Sequence, residues 1–313
     1  MSGLLINVDN SFRERLWKNL IIAIPYFWLL LFFLAPFLIV LKISLADPII
    51  AQPPFTPLFQ DNDDGSMSIY TTFDNYLFLF QDSLYLVTYL SSVKLAFIST
   101  VLALFIGYPI AYGIARSPQP TRNILLLLVV IPFWISFLLR VYAWMGILKT
   151  KGLLNGFLLW IGIIDQPLEL LYTDTAVYIG MIYSYLPFMI LPLYVAIEQI
   201  SPSLEEAALD LYANSWSVFW HVIMPVMWPG VVTTGLFSFL LAYNDFTVTV
   251  SLLSGENFTM VPKLNSFLGT VMYEGSRMNA VAAVVSATAP LFLLVMFFQR
   301  QLVAGLTQAA VKG

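Results

Sequence analysis

The chain has 313 residues, of which 59% are hydrophobic and 10% are charged, whereas a soluble domain usually carries about 25% charged residues. So few charges cannot cover a folded surface with polar groups, so the composition excludes a water-soluble globular protein and indicates one surrounded by lipid. Cysteine is absent and His221 is the single histidine, which excludes disulfides and thiolate metal sites and argues against a histidine-based catalytic triad. The formal net charge of −4 excludes no class by itself, and we expect no nucleic-acid partner.

The predicted elements, in chain order, are apolar stretches long enough to cross a bilayer as helices. Six such spans lie near residues 20–41, 84–115, 123–148, 176–200, 225–253 and 279–301. No small-residue cleavage site follows the first stretch, so it is predicted to be a retained span and not a signal peptide. The second and fifth stretches are long, which favours a tilt or a kink, and Gly107 and Pro109 would supply a kink in the second. The sequence therefore predicts an all-α, polytopic membrane protein in which residues 1–313 form a single transmembrane domain.

Basic residues next to the spans predict the orientation of the chain in the membrane. Those that the spans place on one side, taken as cytoplasmic, are Arg13, Arg15, Lys18, Arg116, Arg122, Arg300 and Lys312. Both termini are therefore expected in the cytoplasm. The loop near 46–83 falls on the opposite side; it is rich in proline and aspartate and is either a solvated linker or a docking surface.

Residues 201–224, between the fourth and fifth spans, are predicted to form a cytoplasmic loop that contains a short amphipathic helix. Ser203 is the expected N-cap, with Glu206 three residues later as its capping-box partner. The helical spacing gives one apolar face, made of Leu204, Ala207, Ala208 and Leu211. A bend is expected near Asn214, followed by a second short helix with Trp216, Phe219 and Trp220. Such an apolar face either lies in a groove of another protein or rests on the membrane surface.

The same loop resembles the EAA loop of the permease subunits of binding-protein-dependent ATP-binding-cassette importers. The residues that carry the resemblance are Glu206, Ala207, Ala208, Leu211, Ala213, Trp216, Phe219, Val222 and Pro225. It implies the type I importer permease fold and a coupling helix that docks into a cleft on a separate ATPase subunit. The residues implied to make this contact are Glu205, Glu206, Ala207, Ala208, Leu211, Tyr212, Ala213, Trp216 and Phe219. Tyr212 stands where the family has glycine, so either the turn is remodelled, with Asn214 as a left-handed residue, or docking differs locally.

Further segments resemble the putrescine and spermidine permeases of that family. They are residues 24–28, 36–46, 121–124, 140–148 and 164–168, whereas residues 243–246 and 305–313 are more similar to sugar- and polyol-type permeases. The resemblance implies a permease subunit in the bacterial inner membrane, which forms half of the translocation path for a small cationic solute, putrescine or a related polyamine, by alternating access. The alternative cargo is an opine, an amino-acid-derived solute, a sugar or a polyol, and the alternative class is a secondary transporter without an ATPase.

A phosphate-binding loop of the form G-x-x-x-x-G-K-[ST] does not occur in the sequence, so the chain is not expected to hydrolyse ATP by that route. An integral membrane enzyme would need clustered His, Glu or Asp at a membrane face, which the sequence does not offer, so no enzyme activity is expected. The resemblance implies a second permease subunit, a dimer of ATPase subunits that uses ATP and Mg, and a periplasmic or lipid-anchored solute-binding protein. No cofactor or metal is expected in this chain.

Charged residues inside the spans mark candidate sites for the solute, because burying a charge in a membrane costs free energy. These residues are Lys94, Arg140, Glu198 and Asp245. Lys94 and Glu198 lie near enough to a membrane face to be solvated. A gating role for Arg140 competes with a pairing to an acid or a backbone carbonyl.

Asp245 is the strongest candidate, because a buried carboxylate among aromatic rings suits a protonated amine through charge pairing and cation–π contact. Its neighbours in sequence are Tyr243, Asn244 and Phe246. Asp245 alternatively forms a hydrogen bond within the bundle, for example with Arg140. Weaker candidates for the path are aromatic residues that more often pack in spans, namely Trp144, Tyr183 and Tyr185.

Overall fold

The computed structural model describes residues 17, 19–61, 66–212, 214–253, 257–270 and 276–310, and most of them are helical. The helices are α1 (Asn19–Ser44), α2 (Asp74–Gln81), α3 (Ser83–Ala115), α4 (Gln119–Val130), α5 (Phe137–Leu148), α6 (Leu153–Trp160), α7 (Asp174–Glu198), α8 (Pro202–Tyr212), α9 (Ser215–Tyr243), α10 (Thr247–Leu252), α11 (Met260–Thr270) and α12 (Ser276–Ala310). An antiparallel hairpin of β1 (Phe59–Asp61) and β2 (Met67–Ile69) pairs Phe59 with Ile69.

The described part of the chain contains five helices long and apolar enough to cross a membrane, namely α1, α3, α7, α9 and α12. A bent pair, Gln119–Trp134 with Phe137–Trp160, passes the same test and gives a sixth span when it is counted as one broken span. The predicted all-α class is confirmed, and the expected six spans are found when the bent pair is counted in this way.

Two compact units make up the chain: Met1–Asp82 with Phe267–Ser286, and Ser83–Ser266 with Ala287–Gly313. The prediction of a single transmembrane domain over residues 1–313 stays a prediction. Several of the basic residues that predict the orientation, Arg13, Arg15, Lys18 and Lys312, lie outside the described residues, so the cytoplasmic location of both termini also stays a prediction.

In the first unit, the segment that follows α1 is folded. Asn75 Nδ2 on α2 donates hydrogen bonds of 3.0 Å to Ser44 O and 3.0 Å to Ala46 O. Tyr70 Oη donates to Asp47 Oδ2 at 2.5 Å, and this bond together with the nearby Asp47 charge raises the pKa of Tyr70. Because these bonds and the β1–β2 hairpin hold its described residues, the described part of the loop is folded and is not an extended linker.

The second unit is centred on α3, α7 and α9, which pack against one another more extensively than any other helices of the unit. Gly180 on α7 lets α10 approach closely, since a Cβ there would lie 2.6 Å from Leu252 Cδ1 and 2.9 Å from Val248 Cγ1. Both of these α10 side chains are fully buried. The short helix α10 is therefore part of the core of the bundle. Helix α3 continues without a break through Pro109, and the kink predicted there stays a prediction.

The third span is not the continuous helix predicted over 123–148. Its two parts are bent by 91° at a break between Trp134 and Phe137. Ile135 has φ −92° and ψ 139°, and Ser136 has φ −51° and ψ 135°, so the backbone leaves the helical region at both positions. Pro132 lies in the tight 3₁₀ turn just before the break, where its missing N–H weakens the helical ladder.

The fifth span also differs from the prediction, because its helix runs from Ser215 to Tyr243 and not from about 225 to 253. The chain turns at Asn244–Phe246 and resumes as α10. Asn244 Nδ2 donates to Leu240 O at 2.9 Å, and Asp245 Oδ2 accepts from Thr249 N at 3.1 Å. Side chains of Asn and Asp compete in this way with the backbone ladder, which explains why the helix breaks here.

Candidate functional site

The first candidate site is the amphipathic helix α8, which begins at Pro202. Proline is well suited to the first position of a helix because its missing N–H has no helical partner there. Ser203 lies inside the helix and its Oγ donates to Ser201 Oγ at 3.1 Å. The prediction of Ser203 as N-cap, with Glu206 as its capping-box partner, is therefore wrong.

The predicted apolar face of α8 is divided between two environments. Ala208 is 4% exposed and packs into the bundle core, whereas Leu204 is 41% exposed and Leu211 is 83% exposed. Ala207 and Glu206 are exposed as well. Leu204, Ala207 and Leu211, called the α8 stripe below, therefore form an exposed apolar strip, and Ala208 is its inner edge.

The bend after α8 does not use a left-handed asparagine. Asn214 has φ −144° and ψ 121°, and its Oδ1 accepts a hydrogen bond from Trp216 N at 3.0 Å, so it is the N-cap of α9. The left-handed conformation expected for Asn214 is therefore wrong. Tyr212 is the last helical residue of α8, while its side chain and the whole of Ala213 lie outside the described residues.

An aromatic cluster occupies the first turns of α9. Trp216, Phe219 and Trp220 contact one another with ring centroids 5.0 to 5.9 Å apart, and Phe219 packs edge-on against Tyr108 of α3 at 5.4 Å. The helix has a π-helical turn over Phe219–Ile223. Together these elements line an apolar cavity of about 680 Å³ beside α8. Phe219 is therefore partly a packing residue, whereas Trp216 is 67% exposed.

Two ion pairs join the helix ends near α8. The Arg116 guanidinium pairs with Glu205 of α8, and its Nη1 donates to Ile200 O at 3.3 Å. Arg122 Nη1 lies 2.7 Å from Glu198 Oε1 at the end of α7. Glu198, a predicted candidate for the path, is thus engaged at a helix end, and Lys94, the other weak candidate, is exposed on α3.

The second candidate site lies at the break between α9 and α10, where Asp245 is 6% exposed. Tyr185 Oη on α7 donates to Asp245 Oδ1 at 2.5 Å, and Thr249 N donates to Oδ2 at 3.1 Å. The carboxylate is therefore bonded within the bundle, as one alternative predicted, but its partner is Tyr185 and not Arg140. Thr249 was missed by sequence reasoning, although it lies four residues after Asp245, the helical spacing that brings two residues together.

Arg140, at the start of α5 beside the other break, is 7% exposed. Its guanidinium lies over the rings of Phe133 at 5.6 Å and Phe137 at 5.2 Å. The buried Nε and Nη1 atoms have no hydrogen-bond partner, and the ion pairs found among the described residues do not include Arg140. Arg140 and Asp245 are thus the charged side chains buried in the described bundle, each at the break of a span. Broken helices are a common setting for solute and ion sites in transporters.

The other residues predicted to line the path make separate contacts in different parts of the bundle. Tyr243 Oη donates to Ala287 O at 2.9 Å, which makes it a packing residue, and Phe246 is 42% exposed. Trp144 and Tyr183 pack edge to face at 5.3 Å, and Tyr183 lines a cavity of about 560 Å³ between α3, α4 and α7. The structure therefore brings Tyr185 to Asp245, and it does not gather the other predicted aromatics around that carboxylate.

Comparison with known proteins places this architecture in one class. The family described as the binding-protein-dependent transport system inner membrane component matches residues 103–308, well over half of the chain. A bacterial ABC transporter crystal structure, involved in the import of the acidic polysaccharide alginate, superposes with a TM-score of 0.65 at 18% identity, over 92% of this chain and 97% of that one. A second structure, of the alginate transporter with an alginate pentasaccharide-bound periplasmic protein, gives a TM-score of 0.63 at 20% identity, over 92% and 94% of the two chains. The fold is that of a type I importer permease.

Relatives in sequence agree with this class. The spermidine/putrescine transport system permease protein PotB of Salmonella typhimurium (strain SL1344) is 38% identical over 234 residues, 74% of this chain and 76% of that protein. PotB of Haemophilus influenzae is 37% identical over 81% of this chain and 82% of that protein. The trehalose transport system permease protein SugB of Mycobacterium tuberculosis is 30% identical over 77% and 82%. The chain belongs to the family of inner membrane components of binding-protein-dependent transport systems, and it is an integral membrane permease and not an enzyme, as predicted.

Proposed function

We propose that this chain forms half of the translocation path of an ATP-driven importer and that α8 is its coupling helix. The observation that carries the proposal is the exposed α8 stripe, which projects between two spans of a permease. An exposed strip of two leucines and an alanine on one helix is suited to a groove of a partner protein. In this proposal ATP hydrolysis by the partner displaces α8 and thereby switches the bundle between its two openings.

The partners follow from the same proposal. A second permease subunit completes the path, a dimer of ATPase subunits uses ATP and Mg, and a periplasmic or lipid-anchored binding protein delivers the solute. Helix α8 and both termini then face the cytoplasm of a bacterial cell. Arg116 and Arg122, basic residues at the same end as α8, support this orientation, because basic residues accumulate on the cytoplasmic side.

The proposed solute is putrescine or a related polyamine. Two observations support it: the PotB relatives are 37–39% identical over most of the chain, and a carboxylate lies buried at the break of a span. In the described conformation the Asp245 oxygens are occupied by Tyr185 and Thr249, so a solute ammonium has to replace the tyrosine hydroxyl as a donor. Asp245 is then the solute site, and its present hydrogen bonds keep it satisfied when it is empty.

A sugar or polyol is the second candidate cargo. The trehalose permease SugB is 30% identical over 77% of this chain, and it is the observation that favours this candidate. The deciding experiment purifies the full importer, reconstitutes it in proteoliposomes, and measures ATP-driven uptake of labelled putrescine and labelled trehalose. Uptake of putrescine alone supports the proposal, uptake of trehalose alone overturns its solute, and a purified assembly without an ATPase overturns the mechanism.

The β1–β2 hairpin is the proposed docking surface for the binding protein. Phe59 and Ile69 face each other across the strands and are 58% and 68% exposed, and Met67 is 74% exposed. Exposed apolar side chains in a cluster mark interaction surfaces. Replacing Ile69 with aspartate is expected to raise the binding-protein concentration for half-maximal uptake about tenfold, as for loss of one anchor residue.

The measurement for this hairpin prediction is uptake by proteoliposomes titrated with the binding protein. Gln60→Asp is the matched control, since it adds the same charge to the hairpin. Gln60 follows Phe59, the partner of Ile69, on β1, so its side chain points to the other face of the hairpin. Equal shifts in both variants, or no shift in Ile69→Asp, would show that the binding protein docks elsewhere.

A further inference from the structure

Arg116 connects α8 to a span that is not its neighbour in the chain. It directly follows the last residue of α3, and its backbone N–H donates to Tyr112 O at 3.0 Å, so its position is fixed to the end of that helix. One side of its guanidinium pairs with Glu205 in the first turn of α8. Nη1 donates to Ile200 O, in the connection between α7 and α8. One side chain therefore holds three elements together.

The chain itself links α8 only to α7, through residues 199–201, and to α9, through residues 213–214. Arg116, at the end of α3, is 89 residues away from Glu205 in sequence. Helices α3 and α7 pack against each other more extensively than any other two helices of the unit. A displacement of α8 is thus passed to α7 and α9 by the backbone. To α3 it is passed without a backbone link, by the apolar packing of Ala208 in the same core cluster as Ala111 and Ala115 and by the ion pair between Arg116 and Glu205. A charged, partly sheltered pair is stronger and less screened than an exposed one.

We propose that Arg116 is a positioning residue that transmits the displacement of α8 to α3, and that Glu205 is its contact on α8. This inference rests on the proposed coupling role of α8. The inference gives two adjacent acids different roles. Glu205, whose side chain is 15% exposed, faces Arg116, while Glu206 is exposed on the outer side of the helix. Glu205 thus serves the bundle, and the outer side of α8 remains for the ATPase subunit.

The Arg122–Glu198 pair supplies a matched control. It lies at the same end of the bundle, and Arg122 Nη2 also donates to a backbone carbonyl, Ala115 O, at 3.0 Å. It joins the first turn of α4 to the end of α7, and neither partner belongs to α8. A variant of Arg122 therefore removes an arginine–glutamate pair, whose glutamate is more exposed (43% against 15%), without breaking the ion pair between Arg116 and α8.

The test uses the complete importer in proteoliposomes and measures solute taken up per ATP hydrolysed. Arg116→Gln and Glu205→Gln are each expected to lower this ratio about tenfold, the effect of losing one coupled pair of contacting residues, while ATP hydrolysis continues. Arg122→Gln is expected to change the ratio less than about twofold, as for an exposed pair. The double variant Arg116→Glu with Glu205→Arg restores the ion pair, though not the bond to Ile200 O. It is expected to take up more solute per ATP hydrolysed than Arg116→Glu or Glu205→Arg alone.

The amount of solute taken up per ATP hydrolysed distinguishes a role in transmitting the displacement of α8 from a structural role. A residue that only stabilises the fold changes the amount of assembled importer, which gel filtration measures, and leaves uptake per ATP unchanged. An unchanged ratio in Arg116→Gln and Glu205→Gln, or an equal loss in Arg122→Gln, overturns the inference. If the wild-type assembly shows no ATP-driven uptake, the proposed function fails instead, and the two failures are distinguished by that one measurement.

Discussion

Replacing Ala207 with arginine is expected to abolish ATP-driven uptake while the amount of protein inserted in the membrane stays normal. Ala207 lies in the middle of the α8 stripe, between Leu204 and Leu211, and its side chain is exposed. A long cation at the centre of an apolar contact has to be desolvated without a partner. Loss of a central contact costs about 2 kcal/mol or more, which weakens binding about 30-fold.

The measurement is retention of the ATPase subunit during purification, together with uptake in proteoliposomes. Ala207→Ser is the control at the same position, since a small side chain leaves the stripe intact and should transport normally. Ala208→Arg is unsuitable as a test, because Ala208 is 4% exposed and a charge there disturbs the core. Normal uptake by Ala207→Arg, at normal expression, would contradict docking through the α8 stripe.

Helix α8 could be predicted from the sequence because this segment contains both polar and apolar residues. Polar and apolar residues alternate with helical spacing in residues 203–211, so the helix, its approximate ends and the bend before Trp216 could be predicted. The division of its apolar face could not be predicted, since spacing places Leu204 and Ala208 on one face without saying which edge meets the bundle. That edge depends on the packing of α8 against the rest of the core, including Ala115 and Ile197.

Inside the spans polar residues are too few to give such a pattern of polar and apolar positions. Apolar residues dominate both 123–148 and 225–253, so the average hydropathy of each stretch predicts one continuous span and does not show the break before Phe137 or the end of α9 at Tyr243. The signals present were local: a proline before the first break, and Asn244–Asp245 at the second, whose side chains bond to backbone groups. The partners Tyr185 and Asp245 are 60 residues apart in sequence, and the tertiary fold alone brings them together.

Replacing Asp245 with asparagine is expected to lower putrescine uptake strongly and to spare uptake of a neutral solute. Asparagine has nearly the same shape, and its Oδ1 still accepts the hydrogen bond from Tyr185, which keeps the contact between α7 and the break. Its Nδ2 cannot accept from Thr249 N, so that hydrogen bond is lost together with the charge that would pair with an ammonium group. A hydrogen bond to a charged group contributes about 1.5–3 kcal/mol, so the half-saturating concentration is expected to rise about tenfold to 100-fold.

Tyr185→Phe is the matched control for this second prediction. It removes the hydroxyl that bonds to Asp245 Oδ1 but leaves the negative charge and the Thr249 bond in place. If the charge recognises the solute, Tyr185→Phe transports putrescine far better than Asp245→Asn does, because the ammonium takes over the acceptor that tyrosine vacates. If Tyr185→Phe and Asp245→Asn lose putrescine uptake equally, the hydrogen bond between α7 and the break is what matters, and Asp245 then holds the bundle together and does not contact the solute.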